Sequence, residues 1–311
     1  MLFESRRFKS GSRIDYFSRR ISLTKMAVGG PFWCPGPLGR MASSWDAGRE
    51  ASMDWDSVLG RQHAALKKAI DDCLADMPTA PIDTADTQQL IASCIFATIL
   101  QTAAECLDLL EKSGSVTCVG GMIRGALESY ADLCALIEDE HYALCMTATF
   151  FKERKRLAKN MRASKGSNPH HETLAKTIDA GKEFAEMTAR LAEMRGMGIK
   201  PLQNDERFAA AGLTHIYESL YFSLSLDAHN NISALQDRHF GERDGRLQIM
   251  VFKNNRPGQL AMYYDALLTT VIDCAFRLHT FLKSPRAQYY SQQVGALAKF
   301  KEEVFGFPTP G

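Results

Sequence analysis

Several things are missing from this 311-residue chain, and each absence removes a class of function. Its eight cysteines include no Cys-x-x-Cys pair, which sets aside zinc ribbons and thioredoxin-like redox motifs. There is no Gly-rich phosphate loop, no Gly-x-Ser-x-Gly elbow and no His-Glu-x-x-His, so the common signatures of nucleotide hydrolysis, serine hydrolysis and zinc proteolysis are lacking. Gly120-Gly121 precedes a helix but lacks the lysine of a phosphate loop. Net charge is only +1, too little to draw the whole chain to nucleic acid or membrane. The run from Leu90 to Leu100 is interrupted by Gln101 and Thr102, short of the ~20 residues a spanning helix needs. The stretch from Leu260 to Leu282 contains Asp265, Asp273 and Arg277, which are costly in lipid. No membrane segment is therefore expected.

What remains is an ordinary globular composition, 45% hydrophobic and 23% charged. Most cysteines lie among Ala, Leu and Ile at helical spacing, where a thiol acts as a small hydrophobe. They read as reduced, which implies a cytoplasmic chain. Residues 1–40 carry eight basic side chains against Glu4 and Asp15, whereas the rest is mildly acidic. Residues 1–52 lack helical period and contain Gly29-Gly30-Pro31-Phe32-Trp33-Cys34-Pro35-Gly36-Pro37, which cannot be helix. We expect this leader to be either disordered or a product of an early start codon, with a transit peptide as the remaining reading. Residues 53–305 are expected to form a single domain.

Apolar residues then recur at helical spacing. Val58, Leu66, Ile70 and Leu74 form one stripe, and Ile91, Ile95, Ile99, Cys106 and Leu110 a second. Ile123, Leu127, Tyr130, Cys134 and Ile137 form a third, on a segment apolar nearly all round and hence central. Further helices are predicted over about 141–164, with Phe150, Leu157 and Met161 facing inward, and over about 170–195, 205–239 and 259–283. A short one follows Pro285. Arg246 to Phe252 reads as one short strand or irregular segment. The fold class is all-α, an up-and-down bundle of about seven helices.

Four polar patterns could carry chemistry. Arg124, Glu128 and Asp132 recur every four residues on the central helix, a polar ridge among Gly121, Gly125, Ala131 and Ala135. It reads either as a buried site, with Glu128 as acid, base or ligand and Arg124 as its anchor, or as a self-satisfied ion pair. In the cluster Ser225, Asp227, His229, Asn230 and Asn231, Asp227 and Asn231 fall where the period of the later helix demands apolar residues, and Ser225 and His229 lie one turn apart on another face, which suits a site or a buried network. Glu138-x-x-His141 has di-iron spacing but no second copy, so neither metal nor cofactor is expected. Lys152, Lys155, Arg156, Lys159 and Arg162 make a basic face that could grip phosphates or simply be solvated, without aromatic interleaving for base stacking.

Two segments carry a resemblance. Gly121-Met-Ile-Arg-Gly-Ala-Leu-Glu128 and Tyr221-Phe-Ser-Leu-Ser-Leu-Asp-Ala-His-Asn-Asn231 resemble a bacterial helical family catalogued as domain of unknown function 5677, over roughly residues 85–285. The resemblance implies one helix with Arg then Glu a turn later, and another with Ser then His a turn later. Here these are Arg124, Glu128, Ser225 and His229. It names no substrate. Helical nucleases of bacterial defence systems place Arg shortly before His on one helix, and His229 has no such Arg.

Three functions are compatible with these residues. One is a binding or interaction protein, defence- or stress-linked, whose Arg124, Glu128, Ser225, His229 and Asn231 form a pocket between helices. Its partner would be a small molecule or a protein rather than nucleic acid. The second is a hydrolase or RNase with His229 and Glu128 as acid–base pair. The third is a purely structural polar network. If the two helices touch, Glu128 should lie within hydrogen-bonding reach of His229 or Ser225.

Overall fold

The computed structural model describes residues 53–113, 118–164, 167–228, 232–243, 246–250 and 257–305. The expectations for the leader therefore lie outside the described residues. The first helix, α1 (Trp55–Asp76), opens as its sequence suggests, with the Asp54 carboxylate accepting from the Ser57 amide. Its buried face runs through Val58, Gln62, Leu66, Ala69, Ile70 and Cys73. Leu74, expected in that stripe, is 53% exposed because the inner face ends on Cys73.

Helix α2 (Thr87–Ser113) is capped by Asp86, whose carboxylate accepts from the Gln88 and Gln89 amides. The expectation of no membrane-length segment needs correction, because α2 is long and apolar enough to cross a bilayer. The sequence reading stopped at Gln101 and Thr102, but the helix carries both through. In the fold Phe96, Ile99, Leu100, Ala103 and Cys106 of α2 are buried in the core. A buried core helix is apolar for that reason alone.

Helix α3 (Val119–Glu138) is the central element, as predicted, with Ile123, Leu127, Tyr130, Leu133 and Cys134 at most 1% exposed. Next come α4 (Tyr142–Ser164), α5 (Pro169–Ala175) and α6 (Ala180–Gly196). Helices α4 and α6 pair with each other over Ala148, Ala158, Met161, Met187 and Met194, none of which belongs to the main core cluster. Phe150, predicted to face inward, is 57% exposed because this pair buries only a narrow seam of small and flexible residues.

The chain continues through α7 (Asn204–Ala210), α8 (Thr214–Ile216), a π-helical turn (Tyr217–Tyr221), α9 (Phe222–Ala228) and α10 (Ile232–His239). A hairpin of β1 (Phe240–Arg243) and β2 (Arg246–Ile249) follows, antiparallel, with Phe240 opposite Ile249. Helices α11 (Pro257–Phe281) and α12 (Ala287–Phe305) complete the described chain. Helix α11 packs on α1, α2, α3 and α12.

Among the described residues the fold is all-α apart from the hairpin, and the expected count of about seven helices is too low. The predicted helix at 170–195 breaks where Asp179 caps a new start, accepting from Gly181 and Lys182. The predicted helix at 205–239 breaks at Gly212, whose φ of +69° an L side chain rarely adopts. The segment near 246–252 does contain a strand. Its partner Phe240–Arg243 directly follows the segment predicted as helix to about 239.

Candidate functional site

The ridge on α3 is met by two later elements. Helix α7 brings Asn204 and Arg207, one turn apart, and the π-helical turn brings Tyr221. A capping box fixes the start of α7, with the Glu206 carboxylate accepting from the Gln203 amide at 2.8 Å. Phe208, fully buried, anchors that helix against Tyr217 and Tyr221. The rings of Tyr217 and Tyr221 stack with centroids 5.1 Å apart.

The Tyr221 hydroxyl is the hub of the cluster. It donates to Glu128 Oε1 at 2.7 Å and accepts from Arg124 Nε at 3.0 Å and from Asn204 Nδ2 at 2.6 Å. The Arg124 guanidinium also lies over the Tyr221 ring, 5.1 Å from its centroid. Glu128 Oε1 further faces Asn204 Nδ2 at 3.3 Å and Arg124 Nε at 3.5 Å, while Oε2 accepts from Arg207 Nη1 at 3.4 Å. Arg207 then grips Asp132 through both Nε (2.9 Å) and Nη2 (2.5 Å), a fork-on-fork pair. Tyr142 of α4 donates to Asp132 Oδ1 at 2.6 Å.

Two guanidinium groups thus face two carboxylates, and the cluster balances its own charge. It is half-buried: side-chain exposure is 14% for Asp132 and 19% for Arg207, against 23% for Arg124 and 26% for Glu128. Burial would lower the Arg207 pKa. The hydrogen bond and charge of Asp132 more than offset that and hold it above the ordinary guanidinium value. Burial, then the hydrogen bond to Glu128, raises the Tyr221 phenol above its usual range. Burial, then Asp132, does the same for Tyr142. Both phenols remain protonated donors at neutral pH.

Of the expected site residues, Arg124 and Glu128 come together as an ion pair, and α9 packs on α3. Ser225 lies one turn after Tyr221, but its hydroxyl bonds the Tyr221 carbonyl at 2.8 Å rather than the Glu128 carboxylate. His229, Asn230 and Asn231 lie outside the described residues, as does the Asp227 side chain. Sequence reasoning missed Tyr221, Asn204, Arg207 and Tyr142. Gly121 and Gly125, the small residues beside the ridge, have open space around the position of a Cβ.

Elsewhere the basic face of α4 is largely engaged within its own helix pair. Arg156 Nη2 faces Glu153 at 2.7 Å, and Lys155 and Arg162 lie over the Phe184 ring at 5.2 and 5.1 Å. Lys159 is exposed and Lys152 half-buried. Arg154 is tied to Glu183 at 2.7 Å. Glu138 and His141 are both exposed, and no cluster that could hold a metal ion occurs among the described residues.

A family model described as a family of unknown function, DUF5677, matches residues 89–247, just over half of the chain. The chain belongs to this family. The DUF5677 region runs from the first turn of α2 into β2, so it contains every residue of the α3, α7 and Tyr221 cluster. Helices α1, α11 and α12 lie outside it. No curated protein and no solved structure matches the chain.

Proposed function

We propose that this DUF5677 protein is a binding protein whose recognition face is the outer half of the cluster: Arg124, Tyr221, Glu128 and Asn204. The observation that carries the reading is the π-helical turn at Tyr217–Tyr221, which sets one phenol between a guanidinium and a carboxylate. Single π turns are rare and gather at functional sites, since they sacrifice regular helix hydrogen bonding to aim a side chain. The inner half, Arg207 with Asp132 and Tyr142, holds α3, α4 and α7 in register. The outer half offers a cation, a carboxylate and an amide side by side. That arrangement suits a small polar molecule or a protein segment presenting a donor next to an acceptor.

The hydrolase reading, with His229 and Glu128 as acid–base pair, has less support. Glu128 already accepts from Tyr221, Asn204 and Arg207 and pairs with Arg124. Both of its carboxylate oxygens are thus engaged by side chains of the cluster, which leaves neither aimed at a substrate proton. A cytoplasmic setting is part of the proposal, supported by the seven free cysteines among the described residues.

The test is a thermal-shift screen of polar metabolites against the full chain, repeated with Arg124→Gln and Tyr221→Phe. The reading expects at least one compound to raise the melting temperature of wild type and of neither variant. Compounds that stabilise all three equally bind elsewhere and count against it. RNA cleavage by wild type that disappears in His229→Ala would replace it with the nuclease reading.

A further inference from the structure

The last turn of α11 buries an imidazole that has no hydrogen bond. His279 is 1% exposed, and both Nδ1 and Nε2 are enclosed without a partner. Buried polar groups are almost always satisfied, so an orphan on both nitrogens calls for an explanation. The ring lies flat on Tyr290 of α12, centroids 4.9 Å apart and planes 17° apart.

Tyr290 belongs to the seam that straps α12 to α1. Its hydroxyl donates to Asp76 at 2.7 Å, and Arg286 Nε donates to the same oxygen at 2.8 Å. Tyr289 donates to Asp72, which also takes Lys68 Nζ at 2.6 Å. The strap has few other deeply buried anchors: Tyr290 and Leu297 are the buried residues of α12. The charged groups acting on His279 are therefore Asp76 at the end of α1 and Arg286 just before α12, while Tyr290 of α12 stacks on it and Cys73 of α1 meets the Tyr290 hydroxyl.

We propose that His279 is an acid-sensitive latch, whose protonation releases the N-terminal half of α12 from α1 and α11. A neutral imidazole fits beneath the Tyr290 ring. A protonated one puts a charge and two unsatisfied donors into the same enclosed space, beside the Arg286 cation. Asp76 offsets this only in part, because its charge is already paired with Arg286. Solvating the imidazolium requires lifting Tyr290, and with it the first turns of α12. Burial independently lowers the His279 pKa, with Asp76 opposing that and Arg286 reinforcing it.

The sign follows from linkage. The docked state favours the neutral ring, so docking is fully stable above the released imidazole's pKa of about 6.5 and weakens as pH falls below it. A ring that stays neutral while docked gives an opening equilibrium about thirty-fold larger at about pH 5 than at about pH 7.5. Hydrogen exchange on the full chain, corrected for the intrinsic pH effect, reads this directly. The expected result is loss of protection over 287–297 on acidification, while α3 stays protected. His279→Phe keeps the stacked ring and removes the titration, so its α12 should remain protected at both pH values. Equal loss in wild type and His279→Phe overturns the proposal, as does unchanged protection in wild type. Should His279→Phe fail to fold, an imidazole NMR titration of wild type decides. A His279 midpoint matching that of the α12 amides supports the latch, and a mismatch refutes it.

Discussion

Tyr221→Phe isolates the hub of the cluster with little disturbance of packing. The substituted ring keeps its contacts with Phe208 and Tyr217 and stays beneath the Arg124 guanidinium. What is lost is one hydroxyl with three hydrogen bonds, two of them to charged partners. Hydrogen bonds to charged groups contribute about 1.5–3 kcal/mol. Glu128 and Arg124 are 26% and 23% exposed, so water replaces part of that. A loss of about 1–2 kcal/mol is expected, or roughly 2–8 °C at ~2–4 °C per kcal/mol in a folded part this large. Denaturant unfolding of Tyr221→Phe, Glu128→Gln and the double variant measures the coupling. The reasoning requires the double variant to be less destabilised than the sum of the two, by at least about 0.5 kcal/mol. Strict additivity would refute it, because two groups sharing a 2.7 Å hydrogen bond cannot be independent.

Other residues give sharper or broader readouts. Arg207→Ala leaves Asp132 and Glu128 facing each other without their shared cation, and should cost about 2–3 kcal/mol by denaturant unfolding, discounted for partial exposure from the larger figure for fully buried pairs. Arg207→Lys should recover less than half of that, since an ammonium cannot fork onto Asp132. Alkylation of the native chain near pH 8, mapped by mass spectrometry, should label exposed Cys94 and Cys118 first among the described cysteines. Cys73, Cys106 and Cys134, whose thiols burial pushes up to about 12, should react only after denaturation.

How much of this could be read from sequence depends on how local the cause is. The α3 core stripe is set by a 3.6-residue period, and the ridge of Arg124, Glu128 and Asp132 by four-residue spacing, so both are written in consecutive residues. Apart from Tyr142, ten residues after Asp132, the partners of that ridge come from 75 to 97 positions away, where nothing in the local pattern of Asn204, Arg207 or Tyr221 announces a target on α3. Tyr221 could have been suspected from Tyr217 and Leu213 at matching spacing, but only as core. The π turn that redirects it has no sequence mark. Helix breaks at Asp179 and Gly212 were legible in residue type, since aspartate caps and glycine tolerates positive φ. The surrounding apolar period concealed them. Leu74 and Phe150 show the converse failure. Each fits its stripe, but none of the described elements covers it.

The position of the cluster within the chain leads to one more test. The DUF5677 region, 89–247, carries the entire polar cluster, but its central helix is buried partly by α11, which lies outside that region. Tyr130 of α3 donates to Asp273 of α11 at 2.5 Å, and Arg277 holds the same carboxylate. Without α11, the Tyr130 hydroxyl loses Asp273, and the core loses Leu267, Leu268, Val271, Ile272 and Leu278, each at most 6% exposed. Burying side chains of that kind contributes about 1.5–3 kcal/mol each. Five of them reach the whole net stability of a typical domain, about 5–15 kcal/mol. A fragment limited to 89–247 should therefore show helical far-ultraviolet dichroism without a cooperative thermal transition, whereas 53–305 should unfold cooperatively. A sharp transition in the shorter fragment would mean that α2, α3 and α7 to α9 make a sufficient core by themselves. The burial assigned here to α11 would then be dispensable to the cluster.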